Sequence, residues 1–148
     1  MKNPNPLVLS GESATKVSDQ LRGYVFCKDC EDLFNKNGEK WILANIPRDC
    51  GAPFRLQDAL GHEKPLAIGQ NENLYHGSSI KAFDMDKLAY FGFSIFRRGA
   101  AYDWKSTSGL SAPKVDLGGY FEPLRRFLRR QGPIPSDLVL SIHLWPYT

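Results

Sequence analysis

The sequence predicts a small α+β domain, in which a zinc-knuckle, treble-clef-like helix unit and two further helices pack on a small, mostly antiparallel sheet. Three observations support this fold class. The Cys-x-x-Cys turn of Cys27 and Cys30 leads directly into a stretch of helical character. Two further stretches, beginning at Asp84 and Tyr120, place apolar residues at helical spacing. Short runs of β-forming residues between turn residues predict the strands.

The length of 148 residues is that of one domain. The order of its motifs divides it into a knuckle-helix unit (1–47), a loop-rich connection (48–83) and a helix-strand-helix-strand core (84–148). No apolar run approaches the roughly 20 residues that a membrane helix needs. Because the N-terminal residues lack the features of a signal peptide, we expect a cytoplasmic protein without membrane contact.

The knuckle-helix unit is predicted to begin with a short edge strand, Leu7–Leu9, a polar loop, Gly11–Gln20, and a second strand, Leu21–Cys27. A helix then follows over Glu31–Asn37. If this helix continues through Gly38, the apolar residues on both sides of the glycine share one face. A kink or a break is equally compatible with the sequence, since glycine inside a helix costs about 1 kcal/mol.

The connection is predicted to contain a short helix, Leu56–Leu60, and a strand, Asn73–His76. The main helix begins at Asp84, whose carboxylate can cap free backbone N–H groups, and runs to about Trp104. Helical spacing predicts the residues of its core face, which are Leu88, Phe91, Gly92, Ile95, Phe96 and Tyr102.

The last part of the chain is predicted to form a short strand, Val115–Leu117, a second helix, Tyr120–Arg130, and a final strand, Asp137–Trp145. The second helix carries a proline in its first turn and ends before a Gly-Pro pair, both of which are typical of helix boundaries. The inward residues of this helix are predicted to be Phe121, Leu124 and Leu128. The final strand alternates leucine and isoleucine with other residues, so that one of its faces is apolar.

The three cysteines are an odd number, which disfavours a disulfide framework and favours metal ligands or redox thiols. A strand, a Cys-x-x-Cys turn and a helix together supply two ligands of a zinc site. The candidates for the remaining ligands are Cys50 and His62. Two alternatives stay open: reduced thiols without metal, and a homodimer that pools two pairs of Cys27 and Cys30.

Three blocks of the sequence resemble uncharacterised bacterial proteins related to HNH endonucleases. The blocks are Tyr24–Asn45, Asp86–Arg98 with Trp104, and Asp116–Leu128. The resemblance implies an earlier Cys-x-x-Cys, which completes the zinc site, and an earlier histidine, which serves as general base. In this sequence no histidine precedes Cys27, and the first one is His62. We therefore expect no nuclease activity, since HNH hydrolysis needs a histidine and a divalent metal, unless the chain is a fragment.

A second motif, Leu74–Ser79, resembles the opening strand of histidine-type ADP-ribosyltransferases. In that family the histidine and glycine of a Tyr-His-Gly sequence, here Tyr75, His76 and Gly77, hold NAD. The resemblance also implies a distal catalytic glutamate, for which Glu122 is the candidate, and a strand over Tyr90–Phe96. That segment has helical spacing in this sequence. The transferase is therefore the alternative hypothesis, and the simpler interpretation is that His76 is an exposed histidine in a turn.

Arginines are concentrated in two places, and the net charge of +3 makes their distribution more informative than their sum. The predicted partner-binding residues are Arg97, Arg98, Arg125, Arg126, Arg129 and Arg130. Guanidinium forks suit phosphates and acidic protein surfaces equally, and a solvated helix face is the plain alternative.

The sequence thus favours a non-catalytic binding protein on an HNH-like scaffold. Its expected partner is nucleic acid or a protein complex that handles nucleic acid. An inhibitor carried by a phage or mobile element, acting on a defence system such as a CRISPR effector, would fit a small domain of this kind. The alternatives are the ADP-ribosyltransferase-like enzyme and, for a fragment, the nuclease.

Overall fold

Helices form the interior of the molecule, and its strands form two short hairpins. The computed structural model describes residues 7–10 and 13–16 (backbone), 23, 25–45, 55–70, 72–104 and 114–144. The strands are β1 (Leu7–Ser10), β2 (Ser13–Lys16), β3 (Ala67–Ile68) and β4 (Asn73–Leu74). The α-helices are α1 (Lys28–Phe34), α2 (Lys40–Asn45), α3 (Arg55–Gly61), α4 (Met85–Ala101) and α5 (Phe121–Leu128).

The coarse prediction of an α+β fold is confirmed, but the predicted sheet is not found in the described residues. β1 pairs antiparallel with β2, with Leu7 opposite Lys16, and β3 pairs antiparallel with β4. These are two separate two-stranded hairpins rather than one sheet. The helices therefore pack mainly on one another. β1 agrees with the predicted edge strand, whereas β2 lies in the segment predicted as a loop.

Three predicted strands are wrong wherever the structure describes them. Residues 25–27, 115–117 and 137–144 have no strand structure. In the last segment the alternation reports burial over its first residues, since Leu138 and Leu140 are half-buried whereas Val139 is 83% exposed, but Ile142 on the predicted apolar face is 43% exposed. Leu140 packs on Gly92, where an added Cβ would come within 2.7 Å of its side chain. Alternation therefore indicated which side faces the core, but a strand also needs a neighbouring strand for its hydrogen bonds.

The helix after the cysteine pair continues through Gly38 without a break. A π-turn, Asn35–Glu39, joins α1 directly to α2. A Cβ on Gly38 would lie 3.0 Å from the backbone nitrogen of Phe91 in α4. The glycine thus lets two helices approach closely, and the π-turn absorbs the local change in helical pitch. Pro47, predicted to end this unit, lies outside the described residues.

The long helix α4 begins as predicted. The carboxylate of Asp84 accepts a hydrogen bond from the backbone N–H of Lys87 at 3.0 Å, which caps the helix. The predicted core face is partly wrong, because Ile95, Phe96 and Tyr102 are 51%, 46% and 39% exposed. The buried stripe comprises Tyr90, Phe93, Arg97 and Ala100. Its 3-4-3 spacing is regular, but an arginine in the stripe conceals it from a search for apolar periodicity.

Two clusters form the core and draw on all three predicted segments of the chain. The first cluster joins α1, α4 and α5 and comprises Phe34, Tyr90, Phe93, Leu124, Phe127 and Leu128. The second joins α2, α3 and α4 and comprises Ile42, Leu56, Ala59, Ile80, Phe83 and Leu88. The hydroxyl of Tyr90 donates to the carbonyl of Leu128 at 2.5 Å, which ties α4 to the end of α5.

The second predicted helix is shorter than expected, and two of its three predicted inward residues, Leu124 and Leu128, are buried. α5 ends at Leu128 rather than Arg130, and Arg130 has a positive φ of 58°. Phe121, predicted to point inward, is 38% exposed, and Phe127 is buried instead. A 3₁₀ turn, Gly118–Tyr120, leads into the helix. None of the helices in the described segments is long and apolar enough to cross a membrane.

The close contact at Gly38 makes a testable prediction about stability. Replacing Gly38 by Ala improves helix propensity, but the new methyl meets the backbone of Phe91, which cannot move as a flexible side chain would. We expect a net loss of about 1–3 kcal/mol in the free energy of unfolding, measured by urea denaturation. Gly61→Ala, at a position with nothing within 4 Å of the added Cβ, is the matched control and should stay within about 0.5 kcal/mol. Equal effects of both variants would contradict the packing argument.

Candidate site of the cysteine pair and the arginines

The cysteine pair lies at the start of α1. Cys27 is the residue before the helix and is exposed, whereas Cys30 lies in the first turn and is half-buried. Both cysteines are free thiols. This is the placement that a Cys-x-x-Cys turn needs in order to present two sulfurs to one ligand.

The two thiols differ in their acidity. The Cys27 side chain makes no regular capping hydrogen bond, yet its pKa is lowered, first because the backbone N–H of Cys30 points toward its sulfur, and second because the Cys30 thiol donates toward it. Burial raises the pKa of Cys30, and its contact with Cys27 adds to the rise. Cys27 is therefore the more reactive thiolate of the pair and the easier of the two to deprotonate for metal binding.

The two other predicted zinc ligands are not brought to this pair by the described residues. Cys50 lies outside them. His62 is exposed and lines a cleft together with Trp41 and Asn45, at the opposite end of the helical path that starts at Cys27. At a rise of 1.5 Å per residue, this end lies roughly 20 Å from Cys30. Within the described ranges, no three His, Cys, Asp or Glu side chains gather in a way that would hold a metal ion.

Arg98 is held inside the molecule by acidic partners. Its Nη2 contacts Oε2 of Glu31 at 2.7 Å, and its Nη1 pairs with Glu39. Its guanidinium also lies 5.1 Å from the ring centre of Phe34. The side chain is 20% exposed. Arg98 thus joins α4 to α1 and the π-turn, so that its charge is already compensated within the chain.

Arg97 is buried, with 6% of its surface exposed. Its guanidinium stacks on Phe121 at 3.8 Å and lies 5.4 Å from the ring centre of Phe26. Among the described residues, its Nε and Nη1 have no hydrogen-bond partner. Burial lowers the pKa of Arg97, and the charge of Arg125 lowers it further, but an arginine stays protonated in proteins. Moving an ion from water costs several kcal/mol, and a desolvated cation–π contact returns only about 2 kcal/mol.

Arg125 is neutralised on its own helix. Its Nε and Nη2 donate to the two carboxylate oxygens of Glu122 at 2.7 and 2.6 Å, which is a bidentate pair at i, i+3 spacing. The hydrogen bond from Arg125 lowers the pKa of Glu122. Glu122 is also the glutamate that the ADP-ribosyltransferase reading needs as a catalytic residue, and here it serves as the counter-ion of an arginine.

The remaining three arginines form one exposed group, which we call the arginine surface: Arg126, Arg129 and Arg130. All three are exposed and lie at the C-terminal end of α5. Arg130 donates from Nη2 to Oδ1 of Asn37, a neutral acceptor, at 2.7 Å, and its guanidinium lies 5.0 Å from the ring centre of Tyr90. Arg126 and Arg129 make no ion pair with any residue that the structure describes. Their like charges repel one another at this spacing. An anion bound between them would relieve this repulsion and lower the free energy of the surface.

His76 has a local structural role. Its Nδ1 lies 2.7 Å from the hydroxyl of Ser78 and accepts from the Ser78 backbone N–H at 3.3 Å, which caps the 3₁₀ turn Gly77–Ser79. Tyr90–Phe96, which the ADP-ribosyltransferase fold needs as a strand, lies within α4. The geometry therefore gives no support to the transferase reading.

Sequence reasoning found the arginines but missed what surrounds them. Glu122 could have been assigned to Arg125 from their helical i, i+3 spacing. The partners of Arg97 and Arg98 come from other elements. Phe26 and Phe121 stack on Arg97, and two carboxylates pair with Arg98. These contacts depend on how the elements cross in three dimensions, for which the sequence carries no local signal.

Comparison of the chain with protein families, curated proteins and solved structures finds no match.

The ion pairs of Arg98 make a second prediction about stability. Arg98→Met should lower the free energy of unfolding by about 1–2 kcal/mol, because two partly buried carboxylates lose their shared counter-ion. The control is Lys114→Met, which breaks the exposed pair between Lys114 and Asp103, 60% and 69% exposed. This control should change the stability by less than about 0.5 kcal/mol. Chemical denaturation of both variants decides the matter, and a neutral Arg98→Met would refute the bridging role.

Proposed function

We propose that the protein binds nucleic acid without acting on it chemically, and that the arginine surface makes the phosphate contacts. The supporting observation is the difference in pairing among the six predicted arginines. Arg97 is buried, and Arg98 and Arg125 pair with glutamates, whereas the arginine surface is exposed and carries no ion pair in the described chain. A protein that only needed a solvated helix end would be served equally well by alternating charges.

Three arginines within five residues favour a phosphate backbone as the ligand. Guanidinium groups contact phosphate oxygens in pairs, and such contacts position a protein on nucleic acid without reading its sequence. Tyr120 and Phe121, 36% and 38% exposed, lie at the other end of the same helix. The resemblance to HNH-related proteins points to the same class of ligand. A protein partner that handles nucleic acid would present an acidic surface in place of the phosphates.

The non-catalytic part of the proposal rests on the histidines. Hydrolysis of an HNH type needs an imidazole next to the metal. His62 lies at the far end of the helical path from the cysteine pair, and His76 caps a turn. Neither of these two histidines adjoins the arginine surface through any contact seen in the described residues, and the third, His143, lies in the segment that follows α5.

The arginine surface can be tested by salt-dependent binding. The double variant Arg126→Gln/Arg129→Gln should weaken the binding of single- and double-stranded oligonucleotides regardless of sequence. The slope of the logarithm of affinity against the logarithm of salt concentration should become shallower by about 2, one for each lost phosphate contact. Fluorescence anisotropy measures both quantities.

The matched control is Lys64→Gln/Lys81→Gln, which removes the same charge from two exposed lysines in the segment between α3 and α4. It should keep the wild-type slope. A wild-type slope in the arginine variant, or an equal loss in the lysine variant, would disprove the assignment of this surface.

Zinc binding by Cys27 and Cys30 belongs to the same proposal. The pair fits two thiolate positions of a tetrahedral site, and bound zinc would fix the start of α1.

We expect zinc in protein purified without added metal, and its loss in Cys27→Ser. Metal analysis combined with the mass in solution separates two ways of completing the site. Loss of zinc in Cys50→Ser indicates a site within one chain, and one zinc ion per dimer in that variant indicates pooled pairs. Metal-free wild-type protein would contradict the zinc site.

A further inference from the structure

A cleft of about 810 Å³ opens between α4, the segment before α1 and the start of α5. Its lining is mixed: Phe26, Ala100 and Phe121 contribute apolar surface, and charged side chains and backbone groups contribute polar surface. The side chain of Val115 on the opposite wall comes within 2.7 Å of the position that a Cβ on Gly99 would take. This close packing fixes the wall against α4. The cleft is separate from the arginine surface, none of whose residues lines it.

Arg97 is one of three charged residues that line this cleft, and the other two are Lys114 and Asp116. Only 6% of the surface of Arg97 is exposed to solvent. Its Nε and Nη1 have no hydrogen-bond partner among the described residues. The rings of Phe121 and Phe26 lie against the guanidinium. Because aromatic rings interact with the faces of this planar group, its N–H edges are the part left for hydrogen bonds.

Of the other two charged residues that line the cleft, Lys114 has an ionic partner, whereas Asp116 has a hydrogen bond but no ion pair among the described residues. Lys114 pairs with Asp103 at 3.1 Å. Oδ1 of Asp116 accepts from the backbone N–H of Gly118 at 2.8 Å. Arg97 makes no ion pair in the described part of the chain, and Glu122, whose charge acts on it, is already paired with Arg125. A buried cation without an anion is the electrostatic feature that an anionic ligand compensates.

We propose that this cleft is a binding site for a small organic oxyanion, a phosphate or carboxylate group carried on an apolar body. The oxyanion accepts charge-assisted hydrogen bonds from the guanidinium edge of Arg97, and the apolar body lies on the walls beside it. A neutral ligand would bury the walls but leave the charge of Arg97 uncompensated. The proposal does not depend on nucleic-acid binding, which is assigned to a different surface.

The test uses the full chain and three probes that share one ring: phenyl phosphate, benzoate and uncharged benzyl alcohol. A probe that binds the folded state but not the unfolded state raises the melting temperature. The expected rise is about 4 °C when the probe concentration is ten times its dissociation constant. We expect this rise with one or both anions and not with the alcohol. Arg97→Met, which keeps an unbranched apolar stem and removes the guanidinium, should lose the rise, whereas Arg126→Met on the arginine surface should keep it.

Arg97→Lys provides a second variant if Arg97→Met does not fold, since it retains the charge but not the fork. It should reduce the anion-induced rise relative to wild type. Three results would overturn the proposal: no shift of the wild-type protein with either anion, an equal shift with the alcohol, or an undiminished shift in the Arg97 variants. Loss of the shift in Arg126→Met alone would also overturn it, because the anions would then bind at the arginine surface.

Discussion

Close packing of α4 against two partners is the constraint on which the rest of the structure depends. On one side, Gly38 lets the helical path from the cysteine pair come within contact distance of the α4 backbone. On the other, the hydroxyl of Tyr90 ties α4 to the last turn of α5. Two adjacent arginines, Arg97 and Arg98, consequently reach different surroundings: aromatic rings and a cleft for the first, two carboxylates for the second.

This arrangement sorts the positive charges of the protein by availability. Charges that are paired internally stabilise the fold and have little left to offer a partner. The arginine surface differs because it lies at the end of α5, where the chain turns at Arg130 with a positive φ and no described acidic residue forms an ion pair with it. A mild net charge of +3 therefore coexists with one locally basic surface.

The sequence predicted local features well and long-range ones poorly. The cap at Asp84 and the short helix around Leu56 depend on neighbouring residues, and both are found. The predicted final strand failed because alternation reports burial and not pairing. The core stripe of α4 was misplaced because it contains Arg97, whose burial depends on rings contributed by Phe26 and Phe121, 71 residues before and 24 residues after it. No periodicity of a single helix carries that information.

The central claim, binding without chemistry, is tested most directly by following an end-labelled oligonucleotide in the presence of the protein with Mg²⁺, with Zn²⁺ and with a chelator. Anisotropy reports binding, and a denaturing gel of the same samples reports chain scission. The account predicts retained binding in all three conditions and an intact oligonucleotide throughout. Scission that requires the divalent ion and disappears with the chelator would contradict it.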